Sequence, residues 1–212
     1  IEDVSPKILK PKQVLFENPV TVTLDAGVTE GNYYVYGLGQ LLGVYDRAGY
    51  AVVKADAISG VVVDSSQVCV WEKGNRDLSY EIEGFQPTVV QEGESTLAAS
   101  VRAITEYEGN PIDVMKEMAN GRSAIQILTN YTKGRGMDLT GCTVEQVLYI
   151  IGKGTPVIAL TDHMNAVILT GYTSDTVTYM NPADGSVHTV STEEVAAMSA
   201  GSGNTFIGYV KD

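Results

Sequence analysis

The chain has 212 residues, 44% of them hydrophobic, which allows one large domain or a medium domain with a smaller partner. Its formal net charge is −12, from 14 basic and 26 acidic residues, and this excess opposes binding to nucleic acid or to an anionic membrane surface. No apolar run approaches the roughly 18 residues needed to cross a bilayer, and Cys69, Cys142, His163 and His188 are too few for a disulfide framework or an ordinary Cys/His zinc site. No cofactor is expected. The chain opens on Ile and carries no signal peptide, so any targeting segment is read as already removed.

In chain order, residues 1–20 carry Pro6, Pro11 and Pro19 among scattered lysines and read as an extended lead-in, with a strand expected at 20–24. Residues 32–39 (N-Y-Y-V-Y-G-L-G) form an aromatic-rich strand closed by glycine. The cluster of Tyr33, Tyr34 and Tyr36 would suit a partner surface, although alternating strand burial explains it at least in part. Apolar residues at helical spacing over 41–58 predict a helix, with Asp46 as its N-cap. Strands follow at 60–64 and 68–71. The resulting small β-α-β module, with its lead-in, occupies residues 1–77, and residues 74–77 read as a linker.

The second region, 78–212, begins with a strand-like stretch at 88–91. Leu97, Val101 and Ile104 then share one helical face; Ser95 or Thr96 caps that helix and Gly109 ends it. Further helices are expected at 113–119, 123–131 and 143–151, the last opening on the capping-box pattern Thr143-Val144-Glu145-Gln146. The composition then turns to strands at 156–160, 166–172, 176–180 and 186–190. A helix at 191–198, capped by Ser191 and Glu194, and a strand at 205–210 close the chain. Helices followed by an antiparallel sheet give an α+β fold.

The polar insert Thr161-Asp162-His163-Met164-Asn165 separates two apolar strands, and Asn181-Pro182 follows the next strand. This G-x-P-V-I-A…A-V-I-L-T-G-Y…N-P pattern, behind a helical half, resembles the papain-like cysteine peptidases of the bacteriocin-processing, double-glycine-leader type. The resemblance runs from about Phe85 to Val210 and is most specific over 154–182. It implies a papain-like α+β fold in which a Cys at a helix N-terminus is the nucleophile and a His at the start of a core strand is the base. An Asp or Asn before a Pro orients the imidazole, and a Gln ahead of the Cys helps to bind the oxyanion.

The matching positions are Ser95 for the nucleophile (Thr96 if the register moves by one), Asn165 for the base and Asn181 for the orienting residue. Gln91 is the oxyanion candidate, four residues before Ser95 and closer than the usual gap. Asn165 cannot serve as a base because an amide does not titrate. His163, one pleat further out, is the alternative base; its plainer reading is a solvated turn residue beside Asp162. The plainer reading of Ser95 is a helix cap. Cys142 precedes a helix, where a thiol can be reactive, and Cys69 reads as a core residue.

The expectation is a catalytically inactive peptidase-family domain that acts as a peptide-binding or structural module, with an extended peptide in the cleft between helix and sheet. The alternative is an active cysteine-type peptidase, either with an engineered serine at 95 or with His163 as base. The resemblance places the protein outside a Gram-positive cell or on its surface. Oligomeric state is open.

Overall fold

A computed structural model describes residues 32–74 and 76–211; the strand expected at 20–24 lies outside them. Strands β1 (Tyr33–Gly37) and β2 (Gln40–Tyr45) form a hairpin, followed by helix α1 (Ala48–Ala57) and strands β3 (Val61–Asp64) and β4 (Cys69–Glu72). The four strands make one antiparallel sheet in the order β2-β1-β3-β4. The module is therefore β-β-α-β-β, with one strand more than the three expected at 32–39, 60–64 and 68–71 in the β-α-β reading. Residues 41–45 belong to a strand rather than to the start of a helix, because Leu38 and Gly39 both take positive φ (50° and 76°). That turn geometry matches strand twist and folds the chain back on β1. The helix starts after Arg47, without a side-chain cap, so Asp46 is not its N-cap.

The second region contains β5 (Tyr80–Glu81), α2 (Thr96–Tyr107), α3 (Val114–Ala119), α4 (Ala124–Tyr131), β6 (Gly134–Asp138) and α5 (Val144–Gly152). Strands β7 (Val157–Leu160), β8 (Ala166–Tyr172), β9 (Thr176–Asn181) and β10 (Ser186–Ser191) follow, then α6 (Thr192–Ala200) and β11 (Phe206–Lys211). Ser123, Thr143 and Ser191 each cap a helix in a reciprocal capping box with the Gln or Glu three residues on. The sheet runs β10-β9-β8-β7-β11-β6, and β5 pairs with the far end of β8. Two expectations change here. Residues 88–91 form no strand, and the main-chain bond there is from Val90 N to Pro182 O (2.8 Å). The Gly-rich, charged stretch G-R-G-M-D, which has no strand signature of its own, becomes edge strand β6 by pairing with β11.

The sheet is apolar on both faces, which is why β7 and β8 are buried along their full length. Ile158, Leu160, Ala166, Ile207 and Tyr209 face α2 and α4. Val157, Ala159, Val167, Leu169 and Phe206 face α5. Beyond α5 the core continues without a break into Val35, Ala51, Val52, Val62 and Trp71 of the N-terminal module. Two contacts fix that junction. Trp71 Nε1 donates to Gln146 O (2.9 Å), and a Cβ on Gly49 would collide with the carbonyl of Thr140.

Candidate functional site

The N-terminus of α2 meets the β7–β8 turn, so the sheet and the helical layer touch at the stretch singled out by sequence. Ser95 occupies the N-cap with extended backbone, and its Oγ accepts from Ala98 N (3.1 Å). Thr96, the first helical residue, makes the contact across the junction. Its Oγ1 accepts from Ala166 N (2.8 Å) and donates to Asn165 Oδ1 (3.4 Å). Leu97 N donates to Met164 O (3.3 Å), so the helix start is laced to the turn by main chain as well.

Asn165 is exposed and held from both sides. Its Nδ2 donates to Asp162 Oδ2 (2.7 Å), while Asp162 Oδ1 accepts from the main-chain N of Met164 (3.0 Å) and Asn165 (2.9 Å). The Asn165 amide, with these two N–H groups, holds the Asp162 carboxyl below its usual range. The chain of contacts therefore runs carboxylate, amide, hydroxyl. Only the carboxylate can take a proton, and the amide separates it from the hydroxyl.

The remaining predicted positions lie around this junction without joining it. His163 is exposed, and its ring is hydrogen-bonded to neither Ser95 nor Thr96. Asn181 ends β9, and its Oδ1 accepts from Ala183 N (3.0 Å), closing its own turn rather than reaching toward Asn165. Gln91 is exposed, and its main-chain N donates to Glu94 Oε2 (2.9 Å). His188 is an exposed residue of β10, stacked on Tyr179 and 2.7 Å from Ser186 Oγ, which also meets Asp184 Oδ1 (2.6 Å).

An ion pair that the sequence does not announce holds the loop in front of α2. Arg102 forks onto Glu94 (2.9 and 3.0 Å) and also donates to Val89 O (2.9 Å). The Glu94 side chain is only 2% exposed. Burial pushes the Glu94 carboxyl up, but the Arg102 hydrogen bonds and the Gln91 N–H outweigh it and leave it below its ordinary value. A separation of eight residues across a helix start has no sequence signature, so this pair is visible only in three dimensions.

Neither thiol supplies a nucleophile. Cys142 is fully buried against Gly49 O, and burial pushes its thiol up to about 12. Cys69, in β4, is pushed up to about 11, mainly by burial. Among the described residues no group of three or more His, Cys, Asp or Glu side chains could hold a metal ion, and no helix is long and apolar enough to cross a membrane. Two clefts lie away from the Thr96–Asn165 junction. One, of 420 Å³, opens between the N-terminal module and α5 at Trp71 and Tyr149; the other, of 790 Å³, follows residues 79–85.

The sequence matches no protein-family model and no curated protein. In structure the chain is similar to a crystal structure from Bacillus anthracis described as a "putative C39-like peptidase", with a TM-score of 0.52 at 18% identity. The likeness covers 64% of this chain and 99% of that one. The fold is that of a C39-like peptidase, the α+β architecture to which the sequence resemblance points.

Proposed function

We propose that this chain uses a C39-like peptidase fold without hydrolysing peptides, and serves as a module that binds an extended peptide. One observation carries the reading: the groups that acyl transfer would require free at the start of α2 are bonded within the chain. A nucleophile needs a base within reach, and an oxyanion needs unoccupied N–H donors at the helix N-terminus. Here the Ser95 hydroxyl takes Ala98 N, Met164 O takes Leu97 N, and the Thr96 hydroxyl lies between Ala166 N and a non-titrating amide.

The test is incubation with unstructured peptides, some containing Gly-Gly, followed by mass spectrometry. The expected result is intact peptide at all times. Turnover abolished by Ser95→Ala or Thr96→Val would sink the proposal. The competing reading, an active enzyme whose nucleophile stands at 95, predicts that Ser95→Cys yields a thiol alkylated by iodoacetamide well below pH 8. We expect that thiol to behave as an ordinary one, with a pKa of about 8.5, because no base faces it.

A further inference from the structure

Strand β10 ends one side of the large sheet, and among the described residues no strand pairs with its outer edge. We infer that this edge takes up an extended peptide as an added antiparallel strand, an uncharged β-branched segment flanked by Lys or Arg. The inference rests on the binding-module reading above and gives that reading a place and a ligand chemistry.

The direction of the main-chain groups follows from the register. β10 pairs with β9 over six residues without a bulge, and Thr192 N extends the ladder to Asp175 O (3.2 Å). Hydrogen-bonding residues alternate along an antiparallel pair. Val190 and His188 therefore bond inward to β9, while Val187 and Thr189 turn N–H and C=O outward. Ser191 belongs to the outward set, and its N–H goes to Glu194 Oε2 (3.1 Å) instead of to β9. Val187, His188 and Thr189 are exposed, Val187 to 55%. A ligand side chain laid beside Val187 would cover apolar surface that the chain leaves in water.

The other sheet edges are closed or broken. At the opposite end of the same sheet, Thr129 Oγ1 of α4 accepts from Gly136 N of β6 (2.9 Å), and Arg135 of β6 is tied to Asp64 (2.7 Å). Both outer pairs of the N-terminal sheet contain a register shift, at Val35/Tyr36 and at Val62/Val63. Bulges, prolines and charged side chains are the usual guards of an edge. Residues 186–191 (S-V-H-T-V-S) contain no proline, Lys, Arg, Asp or Glu, and their pairing is regular.

Charge decides the occupant. No Lys or Arg occurs between Lys153 and Lys211, whereas exposed Asp184 stands at one end of β10 and exposed Glu193 and Glu194 at the other. Asp184 is hydrogen-bonded to Ser186 and Glu194 to the Ser191 N–H, both neutral partners. These ends attract a peptide with a cation on either side of its strand. They disfavour a second copy of the chain. Two β10 strands paired through their outward groups, about a two-fold axis at His188 or Thr189, bring the Asp184 turn of each against the acidic start of α6 in the other. A net charge of −12 on each copy adds repulsion at long range.

The experiment is fluorescence anisotropy on the whole chain with labelled Lys-Thr-Val-Thr-Val-Thr-Val-Lys and its Glu-flanked counterpart. The Lys-flanked peptide should bind more tightly and lose affinity as salt rises. N-methylation at its two central residues removes a donor from either edge, keeps every side chain, and should weaken binding about tenfold or more. Val187→Pro should act alike, because proline removes an outward N–H and is tolerated on an edge strand. If that variant does not fold, the N-methylated peptide decides. Asp184→Asn/Glu193→Gln should weaken binding about two- to fivefold, as expected for exposed charges, and Asp46→Asn in the N-terminal module should leave it unchanged. Absence of binding, equal binding of the Glu-flanked or the N-methylated peptide, or indifference to a folded Val187→Pro would each overturn the inference. So would sedimentation of the chain alone as a dimer that Val187→Pro dissociates, which assigns the edge to a second copy. Mass spectrometry of the same samples separates the two proposals, since cleaved peptide fails the non-hydrolytic reading and intact, unbound peptide fails only this one.

Discussion

Thr96 uses one hydroxyl twice, accepting from Ala166 N and donating to Asn165, at the point where the helical layer meets the sheet. Thr96→Val keeps the shape and removes both bonds, leaving the Ala166 N–H without that acceptor. The expected cost is about 1–3 kcal/mol, measured as a lower denaturation midpoint with unchanged slope. Ser95→Ala should cost about 0.5–2 kcal/mol through the lost cap. The buried acids make a separate prediction. Cys142 and Tyr33 are pushed up to about 12 from ordinary values of 9.0 and 10.0, chiefly by burial. Both groups are neutral in the folded protein and ionise more readily once unfolded, so their stabilising contribution is complete below pH 9. It declines as pH rises from about 9 toward 12, where the unfolded chain binds fewer protons. Urea midpoints across that range should fall steadily, and neither cysteine should react with iodoacetamide at pH 8 until the protein is unfolded.

At the scale of elements, the loop before α2 depends on a pair that is poor in solvent. Removing the guanidinium would strand a Glu94 carboxylate with 2% exposure. Arg102→Ala should therefore cost about 3 kcal/mol or more. Because the Glu94 carboxyl is held below its ordinary value, the stability it lends is present at neutral pH and lost as pH falls through the acid range. The wild type should accordingly be more acid-sensitive than Arg102→Met/Glu94→Met, which keeps apolar bulk and removes both charges. The helices of this region were legible in the sequence because each signal is local. Ser123, Thr143 and Ser191 cap them with their own N3 partners, and Leu97, Val101 and Ile104 mark the buried side of α2. Strands β5 and β6 were not legible, since two residues and a glycine-rich pentapeptide become strands only when β8 and β11 supply the ladder.

For the molecule as a whole, the N-terminal sheet and the peptidase-like region share one apolar core across α5. The chain's only tryptophan sits at that junction, so its fluorescence reports docking directly. Heat or urea should shift Trp71 emission and far-UV circular dichroism with the same midpoint. Two separated transitions would show that the two parts unfold independently. Gly49→Ala should lower the common midpoint markedly, because α1 approaches Thr140 too closely for a side chain and only backbone movement could relieve it.

The sequence alone determined the α+β class, the succession of helices and sheet, the caps, and the absence of a titrating group at position 165. Each of these depends on residue type or short-range periodicity, which a linear pattern carries. Tertiary structure decided which hydroxyl faces Asn165, since Ser95 turns into its own helix and Thr96 reaches across. It also decided that Asp162 rather than Asn181 holds the Asn165 amide, and that Glu94 is buried beneath Arg102. These facts depend on how segments approach one another, and the approach is set by packing of both sheet faces rather than by the residues at the site.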